Sequence, residues 1–246
     1  EQDPSGGWTF DPNGTPVNAV RVTGNRTQGS LSGPVGLFFA RVLGRQTFEP
    51  KLSAVAAHLD REIVIVMDRS GSMAWDLSGT DWSYPPWSPP ETHPYYLPPH
   101  DTLSRWAAAE NAVDVFLAEL ALTQTEEKVG LVTYSHEFSG NGISANTVDL
   151  NAQLSTSFAT VSGAMQAVGD NAIPGGTNIS AGIDVAATEL TGPNARPLAA
   201  KTMIVLTDGV WNQGRDPIEA ATDAAAQGIT IHSITFSDGA DEVTMG

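Results

Sequence analysis

Ile63-Val64-Ile65-Val66-Met67-Asp68-Arg69-Ser70-Gly71-Ser72 is the stretch whose reading decides the fold. Its continuous apolar run suits a strand buried on both faces of a parallel sheet. The run ends in a carboxylate and two hydroxyls at alternate positions, Asp68, Ser70 and Ser72. These are hard oxygen donors of the kind Mg²⁺ prefers. A strand with such donors at its C-terminal end delivers them where open α/β sheets bind ligands. The first expectation is therefore a metal site at the top of a sheet, completed by donors from elsewhere in the chain.

Downstream, the pattern alternates. Leu103, Trp106, Ala107, Val113, Phe116, Leu117 and Leu120 follow helical spacing, with Asp101 as the expected N-cap. Residues 128–134 read as a buried strand, and 136–150 as an edge strand and loop. A second helix is expected over 155–168. Pro174-Gly175-Gly176-Thr177-Asn178 reads as a tight loop opening a helix with Ile179, Ile183, Ala186 and Leu190 on one face. Residues 201–206 form a strand that ends in Thr207-Asp208-Gly209. An Ala-rich helix over 217–227 and a strand over 229–236 follow. Strands alternating with helices from residue 62 onward predict a doubly wound, mostly parallel sheet flanked by helices.

Upstream, residues 17–28 and 49–59 alternate as strands do and are expected to run close together. Residues 35–42 are apolar enough for a strand or a short helix. The chain thus divides into a small antiparallel β module over 1–60 and an α/β domain over 61–246. Between Met73 and His100 stand Trp75, Trp82, Trp87, Tyr84, Tyr95 and Tyr96 among seven prolines. Proline at that density precludes a long helix or an inner strand. This 73–100 insert is read either as a recognition loop over the metal or as a cover for its own domain.

Three separated loops share one chemistry. Asp68, Ser70 and Ser72 come from the first, Thr177 from the second and Asp208 from the third. Two carboxylates and three hydroxyls suit an octahedral hard cation that keeps several waters. Neutral hydroxyls leave the ion electron-poor, so an open position accepts a carboxylate from outside. Thr177 also suits the N-cap of its own helix, a role compatible with ligation, and Arg69 beside the site reads as a solvated side chain or a support for a carboxylate rather than as a binding residue.

The order Asp68-x-Ser70-x-Ser72, Gly175-Gly176-Thr177-Asn178, Thr207-Asp208-Gly209 resembles the von Willebrand factor A (vWA) domain with its metal-ion-dependent adhesion site. The likeness covers about residues 61–240. It implies a vWA/Rossmann-like fold and Mg²⁺ (or Mn²⁺ or Ca²⁺) held by Asp68, Ser70, Ser72, Thr177 and Asp208. It also implies a protein partner that supplies a Glu or Asp to the metal. A complete vWA domain would continue beyond Gly246 through a helix, a strand and another helix. The segments Asn18-Ala19-Val20-Arg21-Val22-Thr23 and Gly33-Pro34-Val35-Gly36-Leu37-Phe38-Phe39-Ala40 are similar to the front of TadG-like proteins of the bacterial envelope. That likeness implies an extracytoplasmic location, a link to pilus assembly and an anchor upstream of Glu1.

Composition narrows the choice. Hydrophobic residues are 41% and charged residues 16%, which fits a packed globular chain. A net charge of −16 and a pI near 4.4 repel nucleic acid and anionic lipid. With no cysteine, thiol catalysis and zinc–thiolate sites are excluded. No run approaches the roughly 20 apolar residues of a membrane helix. There is no Gly-x-Ser-x-Gly elbow and no Gly-Lys-Ser/Thr phosphate loop, so an enzyme is not expected. Two other roles stay open: a structural subunit of a surface filament, assembling through the β module or the insert, and an intracellular partner of an AAA-type ATPase.

Overall fold

The structure, a computed structural model, describes residues 10–13, 19–39, 42, 44–57, 60–77, 97–123, 125–140 and 142–236. The chain divides into two compact units, Glu1–Leu59 and Asp60–Gly246.

In the first unit, the strands are β1 (Ala19–Asn25), β2 (Val35–Gly36), β3 (Thr47–Phe48) and β4 (Lys51–Ala57). β1 pairs antiparallel with β4, Ala19 opposite Ala57 and Asn25 opposite Lys51. This is the pairing that the two alternating stretches predict. Among the described residues of the 35–42 stretch, Val35 and Gly36 form the short β2, paired with β3. Side chains alternate across a strand. One face of the β1–β4 ribbon therefore carries Val20, Val22, Leu52, Ala54 and Ala56, and the other mixes Arg21, Thr23, Lys51 and Ser53 with Ala19 and Val55. The apolar face is exposed, at 65% for Val22 and 77% for Leu52.

The second unit begins with β5 (Arg61–Asp68) and a single 3-10 turn, Gly71–Ala74. Then follow α1 (Arg105–Leu120), β6 (Lys128–Tyr134), β7 (Phe138–Gly140), β8 (Ile143–Ala145) and β9 (Val148–Ser155). α2 (Phe158–Gly169), α3 (Ile179–Thr191), β10 (Ala200–Thr207), α4 (Pro217–Ala225) and β11 (Ile229–Thr235) complete it. The main sheet has the order β11-β10-β5-β6-β9. Its pairs are parallel except β6–β9, the antiparallel edge. The expected doubly wound, mostly parallel sheet is present.

β5 is central and is buried on both faces. Ile63, Ile65 and Met67 pack with α1 and α2, in one core with Trp106, Val113 and Met165. Val64 and Val66 pack with α3 and α4, in a second core with Ile179, Ile183 and Ala220. Each such side chain stabilises the fold by about 1.5–3 kcal/mol relative to exposure. That two-sided burial is why the run is continuously apolar rather than alternating. At the lower end of β5, buried Glu62 accepts from Arg196 Nε at 3.1 Å and Lys201 Nζ at 3.3 Å.

Two helix boundaries differ from expectation. α1 is capped by Ser104, not Asp101. Residues 101–103 form a turn, and Ser104 Oγ accepts from Ala107 N at 3.0 Å while donating to the His100 carbonyl at 2.6 Å. α2 starts only at Phe158, because the pairing with β6 holds β9 extended to Ser155. Of the 73–100 insert, residues 78–96 lie outside the described residues.

Candidate metal centre

Parallel strands point their C-terminal ends the same way, so the loops after β5 and β10 emerge side by side. The register puts Leu206 opposite Met67, and the next residue on each strand meets across the gap. Thr207 Oγ1 donates to Asp68 Oδ2 at 2.7 Å. Asp68 Oδ1 accepts from the backbone N–H of Ser70 at 2.7 Å, which folds the first loop back on its own strand. Ser70 Oγ and Ser72 Oγ stand 3.1 Å apart. Ser72 Oγ donates to Asp208 Oδ1 at 2.8 Å. Four of the five expected donor residues thus form one hydrogen-bonded set.

Thr177 joins from the loop before α3. That loop is fastened on two sides. Gly71 N donates to the Gly175 carbonyl at 3.0 Å. Thr177 N donates to Asn212 Oδ1 at 3.0 Å, and the Thr177 carbonyl accepts from Asn212 N and Gln213 N. Gly175 has φ 113°, and a Cβ there would strike the His136 carbonyl oxygen, so only glycine fits. A Cβ at Gly209 would lie 3.8 Å from Thr177 Oγ1 and 3.9 Å from Ser72 Oγ, so both hydroxyls border the same space. The helix cap is not Thr177 but Asn178, whose Oδ1 accepts from Ala181 N at 3.2 Å. The Thr177 side chain is thereby released from capping.

Burial dominates the electrostatics. Asp68 is 0% exposed, and its carboxyl is pushed up to about 7, first by loss of water and then by the charge of Asp208. Hydrogen bonds from Ser70 and Thr207 oppose that rise. The Asp208 carboxyl is raised too, chiefly by burial, while Arg105 and Ser72 hold it back. Arg105 Nη1 lies 2.5 Å from Asp208 Oδ2, with both side chains buried. Tyr134 donates its hydroxyl to the Leu206 carbonyl at 3.0 Å. Its phenol is raised well above its usual range by burial and then by Asp68. Arg69 supports a different carboxylate: it donates to Asp149 Oδ2 and the Asn146 carbonyl, both at 2.7 Å, tying the first loop to β9.

The chemistry of this set fits a divalent cation. Asp68 forms no ion pair among the described residues, and a buried charge without a partner is costly. A cation held by two carboxylates and neutral hydroxyls would relieve that cost with hard oxygen ligands. Among the described residues no three His, Cys, Asp or Glu cluster as a metal site, so any cation here relies on hydroxyls.

Sequence reading missed Arg105 and Thr207 as members of the site. Thr207 was visible only as part of its triplet. Arg105 carried a signal: it is the sole Lys or Arg between residues 70 and 127. It stands at a helix N-terminus, where positive charge opposes the helix dipole. A cation so placed needs an anionic partner to account for it.

The fold and its three loops define a doubly wound α/β domain with its site at the C-terminal edge of the sheet. Residues 62–245 match the von Willebrand factor type A domain family, and the chain belongs to that family. Residues 1–56 match the family described as putative Tad-like Flp pilus-assembly. No curated protein matches the chain. Three solved structures are similar to the chain. Protein BatB from Bacteroides thetaiotaomicron is 20% identical, over 70% of this chain and 65% of that one, with TM-score 0.49. Proximal thread matrix protein 1 from the mussel byssus, solved with a zinc-occupied MIDAS motif, is 18% identical over 76% and 40%, TM-score 0.50. The PilB minor pilin from Streptococcus sanguinis is 15% identical over 79% and 60%, TM-score 0.52. The chain spans less than two thirds of each. At these identities the likeness to the thread matrix protein and to the minor pilin is one of fold.

Proposed function

We propose that this chain is a metal-dependent protein-binding module of the bacterial cell envelope, linked to pilus assembly or surface attachment. In this reading Asp68, Ser70, Ser72, Thr177 and Asp208 hold Mg²⁺, with Mn²⁺ or Ca²⁺ as substitutes. The ion supplies one open coordination position, which a Glu or Asp of the partner protein fills. Asp68 is fixed by Ser70 N and Thr207 Oγ1, so its oxygens need no reorganisation on binding. Ser70, Ser72 and Thr177 bring oxygen without charge. Asp208 is held by Ser72 and Arg105 and balances charge from the far side. The match of the front segment to a Tad-like pilus-assembly family supports the envelope location and the pilus link. The reading is one of binding: Ser72 Oγ donates to Asp208, whose carboxylate is held in turn by Arg105 and so positions the hydroxyl.

The observation that carries this reading is Asp68, buried and without an ion pair among the described residues, in a four-residue oxygen set. The test is capture of envelope proteins by the immobilised chain with Mg²⁺ and with EDTA. Asp68→Ala abolishes the Mg²⁺-dependent capture while circular dichroism shows a folded domain. Capture that survives both chelation and the substitution would sink the adhesion-site mechanism.

One observation favours a second reading, a structural subunit that self-assembles. The apolar face of the β1–β4 ribbon is exposed. Sedimentation separates the two: chelator dissolves assemblies of a metal-locked subunit, whereas a binding module sediments as one species throughout.

A further inference from the structure

Arg105 is a buried cation, 4% exposed, and it reaches three groups at once. Its Nη1 meets Asp208 Oδ2 at 2.5 Å. Its Nε donates to the Asp76 carbonyl at 3.1 Å. Its guanidinium sits over the Trp75 ring, 5.4 Å from the centroid. The backbone repeats the grip: Arg105 N donates to the Trp75 carbonyl at 2.9 Å, and Asp76 bridges to Ser104. One residue therefore ties the third metal loop to the chain that leaves the first.

The charges add up to a rule. Asp68 and Asp208 carry two negative charges, and Arg105 returns the set to −1. Arg69 pairs with Asp149 and also feels the charge of Asp68, a constant background that substitution of Arg105 leaves in place. We propose that Arg105 is the built-in counter-charge of the site, a positioning residue that limits cation affinity and creates the demand for an anionic ligand. With a divalent ion bound, the set stands at +1, and one carboxylate makes it neutral. Without Arg105 the loaded set would already be neutral and would have no electrostatic need of a carboxylate. Removing Arg105 thus tightens the cation and loosens the anion. A residue that only propped up the fold would weaken both.

This inference rests on the metal reading above, so its test includes a control for that reading. Mg²⁺ is titrated calorimetrically into the wild type, Arg105→Gln, Arg105→Lys and Asp68→Asn. Acetate, as the carboxylate probe, is then titrated onto the Mn²⁺-loaded proteins, with water-proton relaxation as the readout. Arg105→Gln is expected to bind Mg²⁺ about tenfold tighter and acetate about tenfold more weakly, since one nearby charge in a partly dry site is worth at least that. Arg105→Lys keeps the charge and shifts both affinities less than Arg105→Gln does, although it gives up the Nε bond and the stacking on Trp75. In the metal-free protein, amide hydrogen exchange over residues 70–77 speeds up in Arg105→Gln, because the bond to the Asp76 carbonyl is gone. Equal or weaker Mg²⁺ binding by Arg105→Gln would overturn the counter-charge role. So would a tenfold change in Arg105→Lys, which also serves if Arg105→Gln does not fold. If Asp68→Asn binds Mg²⁺ as the wild type does, the metal reading itself fails. If only the Arg105 variants disappoint, that reading stands and this inference falls alone.

Discussion

Asp68 is held by hydrogen bonds on both oxygens, yet it lies beyond reach of water and has no ion pair among the described residues. Its carboxyl is raised from an ordinary 3.8 to about 7 by burial and by Asp208. The sign follows from linkage. A folded pKa above the unfolded one adds stability that is complete below about pH 4 and is lost as the pH rises through about 7. In chelator, therefore, the wild type loses this contribution between pH 4 and 7. Asp68→Asn keeps the bond from Ser70 N and can donate to Thr207 Oγ1, whose hydroxyl then turns to the Gly209 carbonyl at 3.3 Å. Metal-free Asp68→Asn should melt higher than the wild type by on the order of 5 °C at pH 8, with the gap closing by pH 4. Mg²⁺ should lift the wild type and leave the variant unmoved. Differential scanning calorimetry of both proteins across that pH range reads all three outcomes. A gap that widens toward low pH would show that Asp68 is not the group responsible.

At the scale of elements, the close seating of α3 on the sheet positions Thr177. Gly182 faces the sheet, and a Cβ there would lie 2.6 Å from Tyr134 Cδ1 and 2.7 Å from Val66 Cγ1, both in fully buried side chains. Gly182→Ala should therefore lift the helix and cost about 1–3 kcal/mol, seen as a lower urea midpoint. It should also weaken Mg²⁺ binding, because the loop carrying Thr177 moves with the helix. How much could be read beforehand divides along the same lines. The strand β5 was legible because burial on both faces leaves a continuous apolar run, and the three loops were legible because each follows a strand or opens a helix. The cap of α1 was not, since Asp101 and Ser104 are both good caps and only the turn at 101–103 chooses between them. Arg105 was not assigned either, because its partner Asp208 lies 103 residues away and the two meet only once α1 packs on the sheet.

For the whole molecule, charge and burial divide at the same seam. Residues 1–59 hold five Lys or Arg against four Asp or Glu, a net +1, so the remaining residues carry −17 of the chain's −16. The second unit has two cores with fully buried Ile, Val, Met and Trp. Among the described residues of the first unit, none is buried. A two-stranded ribbon with no buried side chain is at best marginally stable in water. The first unit thus has the antiparallel pairing that its alternation predicts but, among its described residues, no buried side chain to hold it. Expressed alone, residues 60–246 should unfold in one cooperative thermal transition that Mg²⁺ shifts upward. A fragment of residues 1–59 should show no cooperative transition and amide exchange near the unfolded rate, because its ladder between β1 and β4 lacks apolar support. Circular dichroism melts and hydrogen exchange on the two fragments decide this. A sharp transition in the 1–59 fragment would overturn this reading.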